Sequence, residues 1–240
     1  MANVIVTGGS RGIGFAIVER LAADGYTIIA IARKETKELA AAVENSAGAI
    51  YFVPFDLSET ERIRELVRDL RERFGPLYGL INNAALGTEG VLATMPASSI
   101  EKLVRLNTIA PVLLTKYAVR SMMHEGAGRI VNMSSIVAST GYHGVSVYAA
   151  TKASMVGFTK SLAREVGRLG VTVNAVAPGF VDTELTASLD SGQRQQIARR
   201  SALQRLPEAR DVAEAVAFLL SDKARNITGT VLTVDAGSTA

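Results

Sequence analysis

Residues 7–14 have the sequence Thr7-Gly8-Gly9-Ser10-Arg11-Gly12-Ile13-Gly14. They join Asn3–Thr7, an apolar segment that predicts a buried strand, to the helical pattern of Phe15–Ala23. A glycine-rich turn between a strand and a helix lets the backbone approach a pyrophosphate at the positive end of the helix. The turn therefore predicts a dinucleotide site that includes Gly8, Gly9, Ser10, Arg11, Gly12, Ile13 and Gly14. The alternative is a tight turn without a ligand, since the spacing here is Gly-x-x-x-Gly-x-Gly and most dinucleotide folds have Gly-x-Gly-x-x-Gly.

Short segments rich in Val and Ile alternate with helical patterns along the rest of the chain. The further predicted strands are Thr27–Ala32, Ala49–Phe55, Leu77–Asn82, Arg129–Met133, Val171–Val176 and Val231–Val234. Their apolar residues are consecutive, as in strands buried on both faces. The alternation predicts an α/β fold: a Rossmann-like, doubly wound parallel sheet of about seven strands with helices on both faces. We expect a single catalytic domain over residues 1–240, with one helix starting at a capping box of Ser58 and Glu61.

Composition excludes several classes of site. The chain has no cysteine, which rules out disulfides, thiol nucleophiles and cysteine metal sites. His124 and His143 lie far apart without ligand-like spacing, so we expect no metal. The net charge of +3 is small, so we expect no nucleic-acid partner. No apolar stretch reaches the roughly 18 residues of a membrane span, and no signal peptide precedes the first strand, so we expect a cytoplasmic protein that does not bind a membrane.

One polar stretch does not follow the alternation of strands and helices. It extends from Val181 to about Pro207 and contains Arg194, Arg199, Arg200 and Arg205. In an open α/β sheet the ligand crevice lies beyond the carboxyl ends of the strands, and this stretch follows the sixth strand there. We interpret residues 181–207 as a mobile lid over the substrate.

The end of the second strand predicts which dinucleotide binds. A site specific for NAD has a carboxylate on the ribose hydroxyl at this point, whereas this chain has Ala32-Arg33-Lys34. Arg33 and Arg11 could bind a 2′-phosphate through charge-assisted hydrogen bonds, so we expect NADP(H) as the cofactor. The alternative is that Arg33 and Lys34 begin a solvated loop.

Tyr148 and Lys152 form a candidate catalytic pair. A spacing of four residues puts them on one helix face, one turn apart. A neighbouring ammonium favours the phenolate and lowers the pKa of a tyrosine, so the pair could pass a proton to a ketone oxygen as a hydride arrives. Ser135 follows the fifth strand at the crevice end of the sheet and could donate a hydrogen bond to the developing alkoxide. Taken alone, the pair could be a solvated helix face and the serine a loop cap.

Taken together, these motifs resemble the short-chain dehydrogenase/reductase family over essentially the whole chain. The resemblance rests on segments that occur in the family's order and approximate spacing: Thr7 to Gly14, Asp56-Leu57, Asn82-Asn83-Ala84-Ala85, Asn107, Ser135, Tyr148 with Lys152, and Pro178-Gly179. It implies an oxidoreductase, commonly a homotetramer that pairs the helix beginning near Tyr148 and the C-terminal strand.

The resemblance also implies roles for individual residues. Tyr148 would be the general acid/base, Lys152 would lower its pKa and hold the nicotinamide ribose, Ser135 would donate to the substrate oxygen, and Asn107 would support a proton-relay water. The implied cofactor contacts are Asp56 and Leu57 at the adenine, Asn83 and Ala84 at its ribose, and Pro178, Gly179, Val181 and Thr183 at the nicotinamide amide.

Within the family the chain is most similar to 3-oxoacyl-[acyl-carrier-protein] reductases, which implies a carrier-linked or small thioester substrate in fatty acid biosynthesis. Carrier proteins are acidic, and complementary charge speeds encounter, so basic residues at the site entrance would favour docking. The candidates are Arg129, Arg168, Arg199, Arg200 and Arg205. Two alternatives are a reductase or dehydrogenase of another small ketone, quinone, sugar or polyol, and a nucleotide-binding sensor that has lost the chemistry.

Overall fold

The computed structural model describes residues 2–87, 90–181 and 191–240, apart from the side chains of Ser191 and Gln193. Its strands are β1 (Asn3–Thr7), β2 (Thr27–Ala32), β3 (Ile50–Pro54), β4 (Leu77–Asn82), β5 (Gly128–Met133), β6 (Val171–Pro178) and β7 (Val231–Val234). All seven pair in parallel in one sheet, in the order β3-β2-β1-β4-β5-β6-β7. The predicted fold class is confirmed, and the strand order reverses between β1 and β4, where ligands bind in doubly wound sheets.

Helices cover both faces of this sheet. They are α1 (Gly12–Ala23), α2 (Lys37–Asn45), α3 (Ile63–Phe74), α4 (Ala97–Val104), α5 (Ala110–Glu125), α6 (Ser146–Val166), α7 (Ser191–Arg200) and α8 (Ala209–Leu220). Alternate residues of each strand point to opposite faces. Ile5 and Ile29 therefore pack in the cluster under α3, α5 and α6, whereas Val4 and Val6 pack in the cluster under α1 and α8. Burial on both faces explains the continuous apolar stretches of the sequence.

The expected capping box at Ser58 is wrong. Helix α3 begins at Ile63, after a short 3-10 turn, Thr60–Arg62. The backbone N–H and the hydroxyl of Ser58 both donate to Oδ1 of Asp56, at 2.9 and 2.7 Å. The local turn thus uses the serine that was expected to cap the helix. A capping box does occur at the start of α8, between Glu208 and Asp211.

Arg129 is not a surface residue at the site entrance, as the docking hypothesis required. It lies at the amino end of β5, paired with Gly79 of β4, and its side chain is only 9% exposed. The guanidinium lies over the ring of Tyr78 at 5.6 Å and donates to the carbonyl of Gly128 at 2.9 Å and to Asp222 at 3.4 Å. Because the crevice is at the carboxyl ends of the strands, the proposed role of Arg129 in docking there is wrong.

A buried polar network crosses the centre of the sheet. The Asn82 amide donates to the Thr115 hydroxyl at 2.9 Å and to Oδ1 of Asn132 at 2.8 Å. The Asn132 amide in turn donates to the hydroxyl of Thr159 on α6 at 2.8 Å. Such bonds are strong in a low dielectric and costly to leave unmade. The network therefore fixes α5 and α6 against the ends of β4 and β5.

Replacing Thr159 by Val should destabilise the protein by about 1–3 kcal/mol, because it keeps the shape but leaves the Asn132 amide without this buried acceptor. Urea unfolding at pH 7 measures the effect. Thr233→Val on the exposed position of β7 is the matched control and should change the free energy of unfolding by less than about 0.5 kcal/mol. Equal effects of the two substitutions would contradict this role of the network.

Candidate functional site

The glycine turn after β1 has a conformation that only glycine adopts freely. Gly8 and Gly12 have φ of +66° and +55°, in the left-handed region. At Gly14 a Cβ would collide with the carbonyl oxygen of Gly8 and lie 2.6 Å from the Asn83 amide nitrogen. Glycine at position 14 therefore lets α1 pack closely on the turn. The turn lies at the positive end of α1, whose first turn carries no acidic side chain.

Thr7 connects this turn to β4. Its hydroxyl donates to the carbonyl of Ile81 at 3.1 Å and accepts from the backbone N–H groups of Asn83 and Ala84 at 2.9 and 3.0 Å. The Asn83 amide donates back to the carbonyl of Thr7 at 2.8 Å. These bonds bring the glycine turn together with Asn83 and Ala84, as the expected cofactor site requires. The sequence analysis missed the connecting role of Thr7, although it is the first residue of the motif.

Arg33, Asp56 and Leu57 lie at the next strand ends along the same edge of the sheet. Arg33 follows the last residue of β2 and is exposed, and the neighbouring loop is fixed by a hydrogen bond from Phe55 N to Ala32 O at 3.0 Å. Burial alone would raise the pKa of Asp56, but hydrogen bonds from Ser58 outweigh it and hold this pKa below its ordinary value, with help from the charge of Arg33. Arg33 is therefore an exposed cation close enough to Asp56 to influence its charge, at the carboxyl edge of the sheet.

Tyr148 and Ser135 meet at the carboxyl end of β5. Ser135 precedes a 3-10 turn, Ile136–Ala138, and Tyr148 lies in the first turn of α6. Burial raises the pKa of Tyr148 to about 12, and the hydrogen bond with Ser135 lowers it in part. The phenol is thus protonated at neutral pH, with a second hydroxyl beside it. Two such O–H groups can donate to one carbonyl oxygen.

Lys152 is buried beneath this pair. Its Nζ donates to the carbonyl of Met133 at 2.9 Å and lies 5.6 Å from the centre of the Tyr148 ring. Burial lowers the pKa of Lys152 to about 8. The pKa of Tyr148 is thus raised, where the presence of Lys152 led us to expect a lowered value, because burial disfavours the charged form of the phenol.

Asn107 approaches α6 from a π-helical turn, Arg105–Ile109, between α4 and α5. Its Oδ1 accepts from the backbone N–H of Leu86 at 2.8 Å, and its amide donates to Leu86 O at 2.8 Å and to the Thr151 hydroxyl at 3.2 Å. Thr151 precedes Lys152, so Asn107 lies beside the catalytic helix. Single π turns in helices are frequent at functional sites, and no feature of the sequence pattern indicated this one.

The end of β6 closes the crevice on the other side. A Cβ on Gly179 would lie 2.7 Å from the Cβ of Asp235, so glycine is needed here for close approach. Pro178 ends β6 and Val181 is buried, whereas Thr183, the remaining predicted residue of this segment, lies outside the described residues. Asp235 was not foreseen: its buried carboxylate accepts from the backbone N–H groups of Gly237 and Thr239, each at 2.9 Å.

Within the described ranges no group of three or more His, Cys, Asp or Glu side chains could hold a metal ion. A search of the same ranges found no helix with the length and apolar character that a bilayer crossing requires.

A family model described as enoyl-(acyl carrier protein) reductase matches residues 8–239. The chain is 39% identical over 235 residues to a 3-oxoacyl-[acyl-carrier-protein] reductase FabG of Haemophilus influenzae, covering 97% of this chain and 96% of that protein. It belongs to the short-chain dehydrogenase/reductase family. Another relative of this family, the FabG reductase of Escherichia coli, is 39% identical over 234 residues, 97% of this chain and 95% of that protein.

Solved structures of short-chain dehydrogenase/reductase proteins also resemble this one. ElxO with NADP bound has a TM-score of 0.91 at 32% identity, covering 99% of this chain and 98% of that one. Gluconate 5-dehydrogenase from Burkholderia cenocepacia, in complex with NADP and tartrate, has a TM-score of 0.94 at 27% identity, covering 99% and 95%.

Removal of the buried Lys152 side chain should raise the stability of the protein. Because the pKa of Lys152 is depressed to about 8, protonating it below that pH opposes folding, and this opposition disappears as pH rises toward the ordinary lysine value. Lys152→Met should therefore raise the free energy of unfolding at pH 7 by about 2 kcal/mol, after the lost bond to Met133 is counted. Urea unfolding of both proteins at pH 7 and pH 10 tests this, and the gain should shrink at the higher pH. A variant less stable than wild type at pH 7 would contradict it.

Proposed function

We propose that the protein is an NADPH-dependent reductase of 3-oxoacyl thioesters that produces 3-hydroxyacyl thioesters in fatty acid biosynthesis. The observation that carries the proposal is the Ser135–Tyr148 hydroxyl pair, above buried Lys152, in a chain 39% identical over nearly its whole length to 3-oxoacyl-[acyl-carrier-protein] reductases. Paired hydroxyl donors at one point fit a carbonyl oxygen.

NADPH is the proposed cofactor. Its pyrophosphate would lie at the glycine turn, where Gly8 and Gly12 have left-handed φ at the start of α1, and its 2′-phosphate would bind the guanidinium of Arg33. Asp56, Leu57, Asn83 and Ala84 follow β3 and β4 and would border the adenosine half, and Pro178, Gly179 and Val181 at the end of β6 would border the nicotinamide half. The solved structures of ElxO and gluconate 5-dehydrogenase, each described with NADP, support this assignment.

The side chains handle the proton of the reaction. When bound, NADPH would supply the hydride that the carbonyl carbon of the substrate accepts. Tyr148 gives its proton to the carbonyl oxygen, and Ser135 donates a hydrogen bond to that oxygen as negative charge develops there. The resulting phenolate lies over Lys152, whose ammonium form stabilises it and can return a proton. Asn107, which is hydrogen-bonded to the backbone of Leu86 and to the hydroxyl of Thr151, would support a proton-relay water.

The acyl-carrier assignment competes with other carbonyl substrates. The structural likeness to a gluconate dehydrogenase favours a sugar acid as the second candidate, and the matching family model is described by an enoyl substrate. Oxidation of NADPH by the purified protein with acetoacetyl coenzyme A, crotonyl coenzyme A and a panel of ketones and sugars separates these. Turnover of acetoacetyl coenzyme A above the others is expected. Turnover of another compound alone would reject 3-oxoacyl thioesters as the substrate. No turnover of any compound would favour the alternative of a nucleotide-binding sensor.

We also propose that an acyl carrier protein presents the substrate, that residues 181–207 act as the lid, and that the enzyme is a cytoplasmic homotetramer. Arg168 precedes the amino end of β6, so it lies at the same edge as Arg129 and away from the crevice. The basic residues that could attract an acidic carrier are then Arg199, Arg200 and Arg205, of which Arg199 and Arg200 are exposed at the end of α7. The family resemblance supports the tetramer, and sedimentation showing a stable monomer would overturn it.

Tyr148→Phe should lower kcat by about 10²–10⁴-fold, because it removes the proton donor while keeping the ring. The dissociation constant of NADPH, measured by fluorescence titration, should change far less. Tyr51→Phe, on the edge strand β3, is the control and should keep wild-type turnover. Unchanged turnover by Tyr148→Phe would refute the mechanism.

Arg33→Glu should reverse the cofactor preference. Loss of a charge-assisted hydrogen bond to the 2′-phosphate, with repulsion added, should raise the KM for NADPH by about 30-fold or more and leave the KM for NADH nearly unchanged. Lys34→Glu is the matched control for the change of charge. If both variants raise the KM for NADPH equally, general electrostatics rather than contact by Arg33 sets the preference.

A further inference from the structure

Three apolar side chains stand unusually exposed on loops at the carboxyl edge of the sheet. Val91 is 50% exposed, Leu92 is 55% exposed and Tyr142 is 39% exposed. Single exposed apolar residues are ordinary, but clustered ones mark a site of binding. The contacts between the loops that carry these residues show whether the three side chains belong to one surface.

Two direct contacts join the loops that carry these residues. The backbone N–H of Gly90, next to Val91, donates to the carbonyl of Gly144 at 2.8 Å. Tyr142 packs edge to face on Phe180, with ring centres 5.7 Å apart and an interplanar angle of 72°. The segment after β4, the loop before α6 and the end of β6 thus form one connected surface. We call Val91, Leu92, Tyr142 and Phe180 the apolar rim.

The apolar rim is continuous with the catalytic pair. Tyr142 lies in the loop between the 3-10 turn that follows Ser135 and helix α6, which carries Tyr148. Phe180 follows Gly179 at the end of the neighbouring strand. A substrate whose carbonyl oxygen lies between Ser135 and Tyr148 therefore has the rim beside its remaining atoms.

We propose that the apolar rim binds the hydrocarbon tail of the acyl substrate and makes the enzyme selective for tails longer than the acetoacetyl group. The inference rests on the proposed function and adds the part of the substrate that the rim contacts. The contact with Phe180 holds the Tyr142 ring in place, so little side-chain entropy is lost when a tail packs on it.

Burial of each methylene group contributes a factor of about four to affinity. An octanoyl chain adds four methylene groups to the four-carbon acetoacetyl unit, and the rim is open to solvent, so only part of this area is buried. We therefore expect kcat/KM for a 3-oxooctanoyl thioester to exceed that for an acetoacetyl thioester by about tenfold or more. Uniform binding of this kind should appear in KM rather than in kcat.

The test compares N-acetylcysteamine thioesters of the two acids as substrates for wild type, Leu92→Ser, Tyr142→Ser and Phe218→Ser. Phe218 is the matched control, since it is 40% exposed on α8, away from the carboxyl edge. Leu92→Ser and Tyr142→Ser should each lower the preference for the longer substrate by about fourfold or more through KM. Phe218→Ser should leave the preference unchanged. Equal loss on both substrates, or no change in the preference, would overturn the inference.

A binding measurement keeps this inference separate from the proposed reaction. Octanoyl-N-acetylcysteamine, which has no ketone, is titrated calorimetrically into the wild type and Leu92→Ser in the presence of NADP. Weaker binding by the variant supports the rim even if no thioester is reduced, in which case only the reaction is rejected. Equal binding by the two proteins overturns the inference. It is also overturned if sedimentation shows a dimer that Leu92→Ser dissociates, because the rim would then be a contact between subunits and not an exposed surface.

Discussion

The packing of helix α6 on strand β5 is the constraint on which the catalytic edge depends. Three hydrogen bonds cross this contact: Lys152 Nζ to Met133 O, Ser134 Oγ to Lys152 O, and the Asn132 amide to the Thr159 hydroxyl, at 2.9, 3.0 and 2.8 Å. Lys152 and Thr159 are seven residues apart, about two helical turns, so both lie on the buried face. Tyr148, one turn before Lys152, then comes to the end of β5 beside Ser135. A shift of α6 by one residue would break all three bonds and separate the two hydroxyls.

This contact includes Lys152, whose pKa is lowered to about 8 by burial. Keeping this buried amine protonated opposes folding at neutral pH by about 3 kcal/mol. The opposition is a sizeable fraction of the 5–15 kcal/mol that ordinary domains have in total. The same desolvation raises the pKa of Tyr148 to about 12 and keeps its phenol protonated at neutral pH. A hydrophobic residue at position 152 would stabilise the fold but would leave the phenolate without a cation. Stability and chemistry therefore make opposite demands on one side chain.

Much of the fold and of the candidate site could be predicted because it depends on local patterns in the sequence. Consecutive apolar residues predict the buried strands, and a four-residue spacing predicts that Tyr148 and Lys152 share a helix face. The rest depends on contacts between distant parts of the chain. Arg129 is charged and was expected at the surface, but Tyr78 and Asp222 enclose it. The direction of the Tyr148 pKa shift likewise depends on burial, which spacing alone does not reveal.

The two edges of the sheet are built in opposite ways, and this difference separates stability from function. At the amino edge the rings of Tyr26 and Tyr78 stack at 6.1 Å, and both hydroxyls donate to the carbonyl of Leu220, at 3.4 and 3.3 Å. These contacts join β2, β4 and α8 and leave Arg129 enclosed. At the carboxyl edge, the glycine turn after β1 and the exposed side chains of the apolar rim border the proposed binding site. The parallel strands extend from the amino edge to the carboxyl edge. The packing at the amino edge therefore holds in place the loops at the carboxyl edge, and those loops can change without loss of the fold.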